Sequence, residues 1–182
     1  MRFGSRIEAV NTMNKEHLIA IMESGEVMRF HACPRMSKQL ISSHQWGVAV
    51  LCRYFKPDIT AGELMTALTH DANELVTGDI PATFKWSYPE VKRIIDDVEK
   101  RISFVPDFPC DENFRTILKI ADFMEGIIFC HNSYMSGNLE AQVIYDRWRQ
   151  ALENFMQLHN IPEVISIKVI ALLGHYDCRR AK

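Results

Sequence analysis

From residue 111 to residue 135 apolar side chains return every three or four positions. Phe114, Ile117, Leu118, Ala121, Met124, Ile127 and Ile128 would then line one face of a single long helix. Gly137 breaks the pattern. Nowhere in the chain do β-branched residues alternate with polar ones over a long run, so the fold class is all-α. One polar residue sits inside the apolar stretch Ile117-Leu118-Lys119-Ile120-Ala121-Asp122-Phe123-Met124. A carboxylate there is costly to bury unless it is paired or bound to a metal.

Other helices bracket this one. Ile7, Val10, Met13, Leu18, Ile21 and Met22 suggest an amphipathic first helix ended by Gly25. Residues 30–42 look irregular. Ser43 could cap a helix from His44 to about Phe55, which Pro57 stops. Thr60-Ala-Gly-Glu63 reads as a capping box, opening a helix that would carry His70, Asp71 and Glu74 near its C-terminal end. Residues 77–88 read as a loop, and Ser87, Pro89 and Glu90 announce the next helix. Pro106 and Pro109 mark another loop, and helices follow at about 139–158 and 163–173.

The 182 residues suggest one domain, 1–182, with room for a substantial core. A net charge of −2 gives no general reason to bind a nucleic-acid polymer or an acidic membrane. No segment approaches the roughly 18–20 apolar residues of a membrane helix, and the N-terminus lacks the apolar run of a signal peptide. Five scattered cysteines, with no CxxC among them, read as reduced thiols. A cytoplasmic protein is the expectation.

The chemistry concentrates in His70-Asp-Ala-Asn-Glu-Leu-Val-Thr-Gly-Asp79, which is followed by Ile80-Pro81. His70 and Asp71 offer imidazole and carboxylate to a divalent ion. On a helix, neighbours point roughly 100° apart, so both reach one ion only in a wedge between helices. His44 and Asp122 are the candidates to complete the set. Two imidazoles and two carboxylates leave room for water and a substrate oxygen, as a catalytic site needs.

His44, the adjacent His70-Asp71 and the distant Asp122 resemble the H…HD…D signature of the HD superfamily of metal-dependent phosphohydrolases. The block from His70 to Pro81 is similar to the core of the small bacterial 5′-deoxynucleotidases and of related phage dATP triphosphohydrolases. The resemblance spans roughly residues 25–140. It implies an HD-type helical bundle with the metal site between helices, a transition metal (Co, Mn, Zn, Fe or Ni) and a homo-oligomer. It also places a substrate-binding arginine at Arg29. The residue before the first metal histidine is usually glutamate in these enzymes. Here it is Ser43, which puts the support of that histidine in question.

Glu74, one turn from His70, could orient the attacking water or pass a proton to the departing 5′-oxygen, and the resemblance gives Glu74 and Asp79 such roles. Arg29 suits phosphate oxygens, with Lys85 second. Arg35 and Lys38 are more distant candidates. Phe30 is the expected platform for the base, with Trp46 and Trp86 as alternatives. The resemblance implies cleavage of the 5′-phosphate ester of a deoxynucleotide, with dATP giving deoxyadenosine and tripolyphosphate as the best reading. The alternative is a 5′-deoxynucleotidase acting on monophosphates. A nucleotide sensor without turnover is the third reading, and the full ligand set argues against it.

Overall fold

A computed structural model describes residues 13–33, 36–102 and 105–177, with the side chains of Thr83 and Trp86 left out. In order the elements are α1 (Lys15–Ser24), β1 (Met28–Arg29), β2 (Gln39–Leu40), α2 (Ile41–Phe55), α3 (Ala61–Thr69), α4 (Glu74–Thr77), α5 (Ala82–Ser87), α6 (Pro89–Arg101), α7 (Glu112–Met135), α8 (Ala141–Leu158) and α9 (Glu163–His175). The all-α expectation holds, with one addition. The stretch expected to be irregular contains half of a small antiparallel ribbon, in which Met28 faces Leu40 and Arg29 faces Gln39.

The long helix is α7. Asp111 caps it, its side chain accepting from the Phe114 N–H at 2.6 Å. Phe114, Ile120, Ala121, Met124 and Ile127 are fully buried on it. They pack with Val48, Cys52 and Phe55 of α2, Tyr145 and Leu152 of α8 and Val169 of α9. Trp148 of α8 meets Phe123 edge-on with ring centroids 5.8 Å apart. The central apolar helix thus becomes the hub on which the site is hung.

Helix starts followed local chemistry in some places and not in others. Thr60 and Glu63 form the expected capping box: Thr60 Oγ1 accepts from the Glu63 N–H at 3.2 Å, and the Thr60 N–H donates to Glu63 Oε2 at 2.8 Å. Ser43 does not cap α2, which begins two residues earlier. Its first N–H groups are taken by remote carbonyls, Ile41 N–H donating to Val27 O at 2.9 Å and Ser42 N–H to Gly25 O at 3.2 Å. Nor does Ser87 cap the next helix. Ser87 ends α5, a helix inside the expected loop, and α6 opens with Pro89 in its first turn and no side-chain cap.

The third helix stops at Thr69, short of the residues it was expected to carry. Ala72 N–H donates to Thr69 O and Glu74 N–H to Asp71 O, both at 3.0 Å, a tighter three-residue repeat than the α-helix makes. That tightening turns His70 and Asp71 away from their ideal helical directions and lets both face one point. Gly78, at φ 68°, ends α4 in a conformation that favours glycine and reverses the chain into Asp79.

No helix among the described residues is long and apolar enough to cross a membrane. Cys33, Cys52 and Cys110 are free thiols. Ile7, Val10 and Arg35 lie outside the described residues, and so does the side chain of Trp86.

Candidate metal centre and its cleft

Three separate elements bring four donors together. His44 comes from the first turn of α2 and is completely buried. His70 and Asp71 come from the turn between α3 and α4, and Asp122 from the middle of α7. His44 Nε2 stands 3.3 Å from Asp71 Oδ2 and 3.4 Å from Asp122 Oδ1, and His70 Nε2 stands 3.4 Å from Asp71 Oδ2.

None of these approaches satisfies the imidazoles: both Nε2 atoms are buried without a hydrogen-bond partner. Donors that each lie about 2.0–2.2 Å from a shared ion stand about 3.0–3.5 Å from one another. The observed spacing suits a cation better than it suits hydrogen bonds. The far side of each ring is held. His70 Nδ1–H donates to Ala67 O at 2.9 Å, and His44 Nδ1–H donates to Glu125 Oε2 at 2.5 Å. Each ring is thereby oriented with its Nε2 facing the centre. Donor atoms of His44, His70 and Asp71 lie within 4.8 Å of one another, and with the two orphaned nitrogens they fit a divalent metal; Asp122 approaches this trio through His44.

The electrostatics show the same demand for positive charge. Burial and the nearby Arg29 guanidinium work against a proton on His44. The carboxylates of Asp122, Asp71 and Glu125 overcome them and push its pKa up to about 10. Burial opposes ionisation of Asp71, but His70 and His44 hold it far below the usual carboxylate range. Asp122 is likewise held low against burial by Lys119, whose Nζ donates to its Oδ2 at 2.6 Å, and by the two histidines.

Above the four donors opens a cleft of about 380 Å³. Glu74, Asp79, Arg29 and Lys85 line it, as expected. Glu74 Oε2 is buried without a hydrogen-bond partner, and Lys85 Nζ lies 3.9 Å from its Oε1. Burial, reinforced by Asp71 and Asp79, pushes the Glu74 carboxyl up to about 9 against the pull of Lys85 and Arg29. It therefore carries a proton at neutral pH in the metal-free protein. Arg29 is buried in an ion pair with Glu125 at 3.3 Å and donates to Gln39 Oε1 at 3.0 Å. Burial works against its charge, yet Asp71, Asp122, Glu125 and Asp79 hold its pKa above the ordinary arginine value.

Several expected roles change. Phe30 lines the cleft, but the residue is only 8% exposed and its ring lies stacked on Phe129, centroids 4.9 Å apart. That leaves little of it for a base. It sits at φ 58°, an uncommon conformation for an aromatic residue, held by its N–H donating to Asp79 Oδ2 at 3.0 Å and its carbonyl accepting from Lys38 Nζ at 2.7 Å. Asp79 thus ties the strand that carries Arg29 to the far wall. Lys38 is exposed and does not line the cleft: its Nζ also donates to the carbonyls of His31 and Cys33. Trp46 is 67% exposed and does not line the cleft. Sequence reasoning missed Glu125, Gln39, Lys119, Lys92, Arg147 and Trp148. The first two hold His44 and Arg29, and the last four line the cleft. Glu125 carried a readable signal, being a second acid in the apolar stretch one turn after Asp122. Ser43 is exposed, and the carboxylate support it cannot give His44 arrives from α7.

Residues 17–105 match the family model described as 5′-deoxynucleotidase YfbR-like. A 5′-deoxynucleotidase of Yersinia pseudotuberculosis is 27% identical over 130 residues, 62% of this chain and 64% of that protein. The chain thus spans somewhat less than two thirds of that relative's length. The dATP triphosphohydrolase of Salmonella phage PMBT28 is 27% identical over 154 residues, 76% of this chain and 79% of its own. Among solved structures, the cyanophage S-2L HD phosphohydrolase, bound to dA and one catalytic Zn2+ ion, superposes with a TM-score of 0.69 at 18% identity. That superposition covers 93% of this chain and 98% of the other. The matched segment holds His44, His70 and Asp71, and the fold brings Asp122 to them from beyond it. In sequence over residues 17–105, just under half of its length, the chain is similar to the YfbR-like 5′-deoxynucleotidases, and over most of its length its fold is that of an HD phosphohydrolase.

Proposed function

We propose that the protein hydrolyses the 5′-phosphate ester of 2′-deoxynucleotides at this centre, with dATP the preferred substrate and deoxyadenosine and tripolyphosphate the products. The observation that carries the reading is the convergence of His44, His70, Asp71 and Asp122 beneath a cleft lined by Arg29. The similarity to a dATP triphosphohydrolase, and to a phage enzyme bound to dA and Zn2+, supports the substrate.

His44, His70, Asp71 and Asp122 would hold a divalent transition metal. Once bound, the ion supplies Lewis-acid polarisation of a phosphoryl oxygen and a more acidic water. The protein's own groups do the rest. Arg29 binds phosphate oxygens in a buried setting, where a guanidinium's directional bonds count most. A water oxygen bonds to the α-phosphorus, the water giving up one proton, while the bond from phosphorus to the 5′-oxygen breaks. Glu74, buried in the cleft beside this centre, passes a proton to that departing oxygen and takes back the one the water gives up. Asp79 keeps the Arg29-Phe30 strand in place and faces the same space. Ile80, Pro81, Ile144 and Trp148 form the apolar wall available to a base.

The alternative is a 5′-deoxynucleotidase acting on monophosphates. It is favoured by the description of the matching family and by two cleft lysines that are already engaged, Lys119 by Asp122 and Lys92 by Asp96. Three coarser expectations accompany either reading: one domain, a cytoplasmic setting, and a homo-oligomer, for which exposed Val164, Ile167 and Ile170 on α9 offer an apolar face. Phosphate-ester hydrolysis measured across deoxy- and ribonucleoside mono- and triphosphates with Mn2+ or Co2+ tests the proposal. Preference for ribonucleotides would overturn the substrate class, and bound nucleotide without turnover would leave a sensor.

A further inference from the structure

One carboxylate oxygen serves both halves of the site. Glu125 Oε2 accepts from His44 Nδ1 at 2.5 Å and from Arg29 Nη1 at 3.3 Å. Its Oε1 accepts from Gln39 Nε2 at 2.7 Å, and Gln39 Oε1 accepts from Arg29 Nη1 at 3.0 Å. Arg29 and Gln39 are themselves cross-strand partners in the ribbon. Arg29, Gln39 and Glu125 therefore close a ring, and His44 hangs from its one shared oxygen.

The seat for this carboxylate is specific. Glu125 is buried and lies one turn after Asp122, so α7 supplies both a donor to the centre and the group behind the opposite histidine. Gly47 lies one turn after His44 on the facing helix. A Cβ added there would stand 2.8 Å from Glu125 Cγ, so only glycine leaves the acid its place. A buried carboxylate with three donors is satisfied, and one that accepts from Nδ1–H orients the imidazole with Nε2 outward.

We propose that Glu125 is a positioning residue that holds His44 and Arg29 in one frame, so that metal affinity and phosphate binding weaken together when its carboxylate is lost. The inference rests on the metal reading above. Its test begins with Co2+ affinity of the wild-type protein, measured by competition with a chromogenic chelator. Wild type that takes up no Co2+ overturns the metal reading, and this inference with it.

With Co2+ binding established, Glu125→Gln should weaken it about 10–100-fold, the range for outer partners of metal histidines. Binding of inorganic phosphate at saturating Co2+ should fall in the same variant, while the metal-free protein stays folded with its Tm lowered by loss of the buried Arg29–Glu125 pair. Nitrogen NMR of the Zn2+-loaded protein should show the His44 Nδ1 signal shifted by loss of its carboxylate partner. Arg29→Gln should weaken phosphate alone, with Co2+ affinity within about threefold of wild type. A folded Glu125→Gln protein that keeps wild-type affinity for Co2+, or that loses Co2+ but not phosphate, overturns the proposal. If that variant does not fold, Gly47→Ala retains the carboxylate but displaces it. It should lose Co2+ affinity in the same way, and unchanged affinity there overturns the proposal too.

Discussion

His44 Nε2 and Asp122 Oδ1 stand 3.4 Å apart without a hydrogen bond between them, one at the start of α2 and the other at the middle of α7. A buried pair so placed is expensive unless a cation sits with it. Asp122→Ala should therefore remove bound metal and, with it, hydrolysis, by more than the roughly 10–100-fold that loss of an outer partner causes. Metal content by elemental analysis, read beside activity, checks this; full metal content in the variant contradicts it. His70→Ala and Asp71→Ala should behave the same way.

The proposed mechanism gives Arg29 to the substrate rather than to the metal. Arg29→Ala should raise KM by tenfold or more, on the order of 1.4 kcal/mol, while metal content stays near wild type. It also strands part of the Glu125 charge, so stability should fall by about 1–3 kcal/mol in urea unfolding. A variant that keeps its KM but loses metal would show that Arg29 supports the ion instead.

Glu74 gives the metal-free protein a pH dependence of definite sign. Its native carboxyl titrates at about 9, whereas the ordinary value is 4.5. Between those values the native state holds a proton that the unfolded chain has released, so stability falls as pH rises. Asp71, Asp79, Lys85 and Arg29 are the charged groups that set this value. His44, held up to about 10 from 6.5, adds a fall of the same sign at higher pH. Urea unfolding of the metal-free protein at pH 5 and pH 8 should show the loss, and Glu74→Gln should show a smaller one. Equal losses in both proteins would contradict the buried, protonated Glu74.

Asp79 has a structural duty, and the proposed mechanism gives it a chemical one; its amide analogue separates them. Asp79→Asn can still accept the Phe30 N–H. It should unfold within about 0.5 kcal/mol of wild type yet lose kcat, since the charge facing the cleft is gone. Undiminished kcat in Asp79→Asn would confine the residue to holding Phe30.

Much of this was readable before the fold because it is local. The apolar period of α7 and the Thr60–Glu63 box depend on residues within one or two turns, and both elements form where their patterns lie. The four donors announced themselves by residue type and by resemblance. What escaped depends on distant partners. The start of α2 is set by carbonyls of Gly25 and Val27, the two-residue strands carry no alternation to detect, and α5 is a single short stretch after Pro81. Phe30 looked like a base platform because it neighbours Arg29, but Phe129, a hundred residues away in sequence, takes its ring. Glu125 was missed because an acid in an apolar helix can be a ligand, a salt bridge or a support, and only its 2.5 Å contact with His44 decides among them.

The most direct measurement is the product of dATP turnover with Mn2+ or Co2+, followed by chromatography of both nucleoside and phosphate species. Deoxyadenosine and tripolyphosphate should appear in equal amounts, and a chelator should abolish both. Stepwise orthophosphate with dADP as the first product would contradict cleavage at the 5′-ester, and turnover undiminished by metal removal would contradict the centre itself.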